Sequence, residues 1–325
     1  MMRPKAALLV LLTAASSTSL AQEKTIVRRG VKAVQRSVSK LPRAATLSLG
    51  GTPDWLAISD DAVWVANAKF KAVQRVNPKT NSLAAKIELP AEPCSGLAFA
   101  FDTLWVPLCG KPASLARVDP RTNEIVATLP FGPADSEGGI TASEDSVWLV
   151  TNENGTLLRI DPQTNAVRQK ILIPSGSFNP LYGDGFVWVT GNKTSVLTPV
   201  NSRTGDVVPS IPVGPQPRFL ASGAGYIWTL NQGDGTITRV NARSREAVGT
   251  VGAGIPGPGG DICYGAGFAW ATIFDVPLTM VFAESNEVLH QWVGPGGDAI
   301  RFGHGSLWLT DLRNGLLWRL DPPWP

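Results

Sequence analysis

The sequence is poor in the residues that most catalytic and metal sites draw on. Its 325 residues include two histidines, His290 and His304, and three cysteines, Cys94, Cys109 and Cys263. No His/Cys spacing of a zinc site occurs. No G-x-S-x-G elbow, phosphate loop or dinucleotide fingerprint stands in a strand–helix context. The glycine-rich "GAGIPGPGGD" at 252–261 has no helix after it and reads as a loop between units. Charged residues make up only 17%, and a formal net charge of +3 gives no nucleic-acid signal. After the N-terminus no apolar run approaches the ~20 residues that span a bilayer. No repeated segment carries a clear helical period. What remains is a globular chain rich in turn formers and tryptophan, with 33 Gly, 26 Pro and 11 Trp.

The first 21 residues read as a secretory leader. "MMRPK" is a basic head, "AALLVLLTAA" an apolar stretch, and "SSTSLA" a small-residue tail ending at Ala21. The expected location is periplasmic or secreted, with no transmembrane span in the mature chain. An uncleaved leader kept as an anchor is the alternative. Residues 22–43 follow as a basic segment. Val27, Val31, Val34, Val38 and Leu41 are spaced 4-3-4-3, an amphipathic-helix pattern, weakened by Gly30 and the β-branched valines. The segment is expected to stand outside the core, as a solvated linker with or without a short helix packed on the body, or as an arm for weak contact with a membrane surface or an acidic partner.

Seven tryptophans stand in equivalent text: Trp64, Trp105, Trp148, Trp188, Trp228, Trp270 and Trp308. Their spacings are 41, 43, 40, 40, 42 and 38 residues. A period near 40 with several short β-patterned runs per unit predicts propeller blades. Each unit reads as four strands, with the tryptophan on the second. The turn after the third strand is "NPKTN", "DPRTN", "DPQTN" and "NSRTG" in the first four units. Its Asn or Asp bonds the turn backbone, and its closing Asn or Gly takes a left-handed conformation. An arginine precedes it at Arg75, Arg117, Arg159, Arg239 and Arg319, read as a blade-to-blade or surface contact; Pro199 and Met280 replace it in units four and six. The last unit stops without a fourth strand, while "AATLSLGGTPD" near the N-terminus matches a fourth-strand text. The reading is an all-β, seven-bladed propeller over residues 44–325, expected as a monomer, with the N-terminal strand completing the last blade.

Repeats such as "VWVAN…RVNPKTN" and "VWLVTN…RIDPQTN" resemble the YVTN-type repeat and those of the virginiamycin B lyase (streptogramin lyase) group. The resemblance covers about residues 44–325. It implies a funnel-shaped site at one end of the channel. In the lyases it implies histidines and a glutamate, with Mg²⁺, eliminating across an ester of a cyclic antibiotic. The matching positions here carry no histidine. His290 falls in an outer strand, and His304 in a turn on the opposite face.

The residues expected at the mouth are Asp54, Asn67, Asn152, Arg218, Asn231, Asp298 and Asp311, with Asp261 converging and Trp55 able to stack on a ligand. Carboxylates and amides there suit a polar or cationic ligand. The function expected is binding of a small molecule, glycan, peptide or protein, without catalysis, cofactor, metal or nucleic acid. The alternative is a streptogramin-lyase-like lyase or hydrolase with a rearranged carboxylate site, the one case that would call for a divalent ion such as Mg²⁺. A hairpin turning at Asp102-Thr103 would put Gly96 opposite Cys109, with Cys94 two residues along the same edge. A Cys94–Cys109 disulfide is expected there, with Cys263 a buried lone thiol.

Overall fold

The computed structural model describes residues 30–152 and 154–322. The leader, residues 22–29 of the basic segment, Glu153 and Trp324 lie outside the described residues. The rest forms seven sheets of four strands, one of them extended by a fifth. Blade one shows the plan: Pro53–Ile58 innermost, then Val63–Asn67, Ala72–Asn77 and Ser82–Glu88 outermost, all antiparallel. The chain then crosses to the inner strand of the next blade. Blade four is the irregular one, its outer strand reduced to Ile211–Pro212.

The repeat tryptophans build the space between blades. All seven are fully buried. Each donates its Nε1–H to the residue five positions earlier, as Trp148 does to Ser143 Oγ at 2.9 Å and Trp188 to the Gly183 carbonyl at 2.9 Å. The five arginines of the third strands lie over these rings, 4.4–5.8 Å from guanidinium carbon to ring centre. Each then bonds the turn of the following blade. Arg75 donates to the Pro120 carbonyl at 2.6 Å, Arg117 to Asn165 Oδ1 at 2.6 Å, Arg159 to the Arg203 carbonyl at 2.9 Å, and Arg239 to the Ala283 carbonyl. Arg319 of blade seven donates to the Pro78 carbonyl of blade one at 2.6 Å and so closes the ring. The turns that receive them end in left-handed residues, including Asn81 (φ +53°), Asn165 (φ +63°) and Gly205 (φ +82°).

Ala45–Ser48 pairs antiparallel with Leu316–Leu320 and supplies the outer strand of blade seven, so both chain ends share one sheet. The segment before it is structured, against expectation. Gln35–Ser37 runs parallel to Glu287–Val293 as a fifth strand on blade six, flanked by 3-10 turns at Lys32–Val34 and Val38–Lys40. Val38 and Leu41 are buried in a cluster with Trp292 and Trp318. The valine spacing does not make a helix here. β-Branched residues favour the extended form, and blade six offers an unpaired edge to cover. Lys32, Arg36 and Lys40 remain exposed.

Blade two carries a second departure. Its hairpin turns at Phe101-Asp102, with φ of +54° and +52°, not at Asp102-Thr103. Ala98 therefore pairs with Trp105. The register then shifts before the cysteines, where Pro93 bridges Leu108 and the Cys109 amide donates to the Glu92 carbonyl at 3.0 Å, leaving Cys94 diagonal to Cys109. The two form a disulfide with Cα atoms 5.8 Å apart; Cys263 is free and buried. Among the described residues no helix is long and apolar enough to cross a membrane.

Candidate functional site at the channel mouth

The inner strands frame a central cavity of about 270 Å³. One residue per blade stands at its mouth, three positions before the residue paired with the repeat tryptophan. Asp54, Arg218 and Asp298 occupy this position in blades one, five and seven, by the pairs Ala57–Trp64, Ala221–Trp228 and Arg301–Trp308. The next position holds Trp55, Phe219 and Asp261 in blades one, five and six. Trp55 and Phe219 meet across the channel, ring centres 5.6 Å apart. They form its apolar wall. Trp55 is 3% exposed, yet its Nε1–H has no partner.

Threonine hydroxyls fix the backbone at the rim. Thr190 accepts from the Asn179 amide of its own blade at 3.2 Å and donates to the Arg218 carbonyl of the next at 3.1 Å. Thr272 repeats this between the Asp261 amide, at 2.7 Å, and the Asp298 carbonyl. The rim backbones of blades four and five, and of blades six and seven, are thereby tied together. Gly260 (φ +81°) approaches so closely that a Cβ there would lie 2.0 Å from the Thr272 carbonyl oxygen, and its amide donates to Asp298 Oδ1 at 2.8 Å.

The electrostatics are dominated by carboxylates taken out of water. Burial pushes the Asp298 carboxyl up to about 7, offset in part by the Gly260 amide, with the Glu137 and Asp261 charges adding to the rise. Burial also raises Asp54 well above the usual carboxylate range, and Asp298, Glu137 and Asp261 raise it further while Arg301 opposes. Glu137 is raised by burial and lowered by Arg218. Asp261 is raised by burial against the pull of Arg301. Arg301 donates to Asp261 Oδ2 and is committed to that pair. Four carboxyl groups from blades one, three, six and seven thus share one field with three arginines, of which Arg301 is paired with Asp261 and Arg313, which lowers Asp298, with Asp275.

Asp54, Asp261, Asp298 and Arg218 are brought into this group. Asn67, Asn231 and Asp311 are not. Asn67 is buried, accepting from the Thr52 amide at 3.0 Å and donating to the Gly50 carbonyl and Gln74 Oε1, both at 2.9 Å. Asn231 is spent on Thr229, Thr236 and Thr238. Asp311 accepts from the Asn314 amide at 3.3 Å and from its Nδ2. These three brace the connections inside their blades. Asn152 is half-buried, its Oδ1 without a partner. Glu137, Arg301, Phe219 and the rim threonines went unread in the sequence. Arg301 had a signal: the other six blades place Ala, Thr, Leu or Cys there.

His290 lies in the outer strand of blade six against Trp292, and His304 in a left-handed turn of blade seven (φ +53°). Neither joins the mouth group. Among the described residues no three His, Cys, Asp or Glu side chains are grouped to hold a metal ion. The histidines that the lyase resemblance implies beside Mg²⁺ are thus not at this mouth.

No protein-family model and no curated protein matches the chain. Solved structures do. A streptogramin B lyase aligns with a TM-score of 0.70 and 16% identity over 84% of this chain and 95% of its own. Virginiamycin B lyase from Staphylococcus aureus aligns with a TM-score of 0.71 and 17% identity over 86% of this chain and 99% of its own. BamB from Moraxella catarrhalis aligns with a TM-score of 0.62 and 11% identity over 86% and 99%. At such identities the likeness is one of fold. The chain has the seven-bladed architecture of the streptogramin B lyase structures, the group its repeats resemble.

Proposed function

We propose that this protein is an extracytoplasmic binding propeller whose channel mouth takes a small organic cation. One observation carries the reading. Asp298 is buried and Asp54 and Glu137 are half-buried, their acidities all shifted toward the protonated form, and two of the arginines that act on them, Arg301 and Arg313, are taken by Asp261 and Asp275. An ammonium group supplies the missing charge. The Trp55–Phe219 wall suits its apolar part. Export is supported by the leader and by the Cys94–Cys109 disulfide. The test is a thermal-shift series with organic amines at pH 8 against the parent and Asp298→Asn. The parent should be stabilised in a dose-dependent way by mass action, and the variant much less. Amines that shift neither protein, or both equally, would refute the reading.

A second reading has its own support. A carboxyl titrating at about 7 beside other acids can act as acid or base near neutral pH. A carboxylate-based lyase or hydrolase acting on a cyclic ester would use Asp298 and Asp54 in that way. Incubation with a cyclic peptide lactone, followed by mass spectrometry, tests it. Opening of the ring that is lost in Asp298→Asn would favour catalysis, and an intact ring would rule against it for that substrate.

A further inference from the structure

A second cavity, of about 390 Å³, opens between blades three and four beside the mouth. Phe178, Asn192, Lys193 and Arg218 line it, with the exposed Asp135 on its rim. The Arg218 guanidinium lies 4.5 Å above the Phe178 ring. Unlike the five arginines over the repeat tryptophans, it reaches no carbonyl and no carboxylate among the described residues. Its Nε is buried without a hydrogen bond, and it makes no ion pair among the described residues. Asn192 adds a buried Oδ1, again without a partner. Asp135 does not fill the gap: its Oδ1 accepts from the Ser136 amide at 2.7 Å. The cavity thus holds a planar cation on an aromatic shelf, an exposed lysine beside it, and an acceptor without a donor among the described residues.

Arg218 also belongs to the mouth. Its charge acts on Glu137, and the Glu137 charge acts on Asp54 and Asp298. A positive subsite therefore adjoins the negative one. We propose that the cavity between blades three and four receives a carboxylate, so that the ligand of this propeller is a short peptide with both termini free. This rests on the reading of the mouth as an ammonium site. The peptide N-terminus sits among Asp54, Asp298 and Glu137. Its C-terminal carboxylate accepts two hydrogen bonds from Arg218, the arrangement for which a guanidinium is built. Lys193 closes over the carboxylate, Asn192 Oδ1 accepts a peptide N–H, and the Phe178 and Trp55–Phe219 surfaces take apolar side chains.

The experiment is calorimetric titration with di- and tripeptides bearing apolar side chains, each in three forms: free, C-terminally amidated and N-acetylated. Benzylamine serves as the cation without a carboxylate. For the parent, amidation should weaken binding by at least about tenfold, the scale of a charge-assisted hydrogen bond. In Arg218→Gln that difference should vanish while the loss on N-acetylation persists. Lys193→Ala should give a smaller loss of the same kind. Both variants should melt close to the parent, since neither side chain makes a hydrogen bond or ion pair among the described residues. If amides bind as tightly as acids, or amidation still costs tenfold in Arg218→Gln, the proposal is wrong. Should benzylamine bind while no peptide binds better than its amide, the carboxylate subsite fails and the cation site stands. If benzylamine and peptides alike fail to bind, the mouth reading fails and takes the peptide with it.

Discussion

Arginine over an aromatic ring occurs on both faces of this ring of blades, with opposite outcomes. On the turn face Arg75, Arg117, Arg159, Arg239 and Arg319 stack on repeat tryptophans and donate to the next blade. At the mouth Arg218 stacks on Phe178 and donates to nothing among the described residues. The tryptophans divide in the same way. All seven of the repeat spend their Nε1–H on the turn five residues back, whereas Trp55, almost as buried, spends it on nothing. A buried polar group without a partner is costly to a fold. Such atoms occur elsewhere too, the Nε of Arg117 and of Arg239 among them, but those two arginines still bond the next blade through their other nitrogens. Arg218 and Trp55, by contrast, make no side-chain hydrogen bond among the described residues.

The sharpest way to break the contrast is to remove the tryptophans. Trp308→Ala is expected to cost about 3–5 kcal/mol, because a filled inter-blade space becomes a cavity. The milder Trp→Phe exchange separates the faces. At position 308 it should cost roughly 1 kcal/mol more than at position 55, where no hydrogen bond is lost. Equal costs in urea denaturation would remove the distinction.

The disulfide comes next. It holds a loop of blade two at the mouth covalently, where the turn face relies on arginines. Cys94→Ser with Cys109→Ser should lower stability by about 3 kcal/mol, the loop-closure value for a bridge of this span. Thiol titration of the denatured, unreduced parent should find Cys263 alone; three thiols would dissolve this part of the account.

Arginine removal is expected to have the smallest effect. Arg319→Met breaks the bonds to Pro78 and Asn81 that close the ring and should cost about 1–3 kcal/mol. Arg218→Met should stay within about 0.5 kcal/mol of the parent. If Arg218 proved as costly as Arg319, it would be a structural residue and the carboxylate subsite would lose its basis.

The sequence foretold these two faces unequally. Blade number follows from tryptophan spacing, because each copy must bury the same ring. The turn face was readable because Asn/Asp-Pro-x-Thr-Asn carries its own turn chemistry. The closing strand was readable because its text repeats that of another blade. The mouth escaped in part for a physical reason. Asp54, Glu137, Asp261 and Asp298 meet only once the ring has closed, and no local pattern records the meeting. Asn67, Asn231 and Asp311 sit at equivalent strand ends, but whether such a side chain faces the channel or its own blade depends on which neighbours accept it. In blade two, left-handed Phe101 and Asp102 shifted the turn by one residue, a conformation that composition alone does not suggest for phenylalanine. In residues 30–43 the valine pattern was real, but an open sheet edge decided its use.

The central claim is that the mouth keeps carboxyl groups short of cations. The most direct measurement is the melting temperature of Asp298→Asn against the parent between pH 5 and pH 8. The Asp298 carboxyl is raised from its ordinary 3.8 to about 7 in the folded chain. Across that window the folded state binds a proton that the unfolded chain has released, so this group's contribution to stability declines as pH rises through it. Asparagine preserves the acceptor for the Gly260 amide and has no proton to lose. The variant should therefore gain on the parent steadily from pH 5 to about pH 7 and melt a few degrees higher at pH 8. A parent that matches or exceeds the variant at pH 8 would mean that Asp298 is charged and well partnered, and would contradict the account.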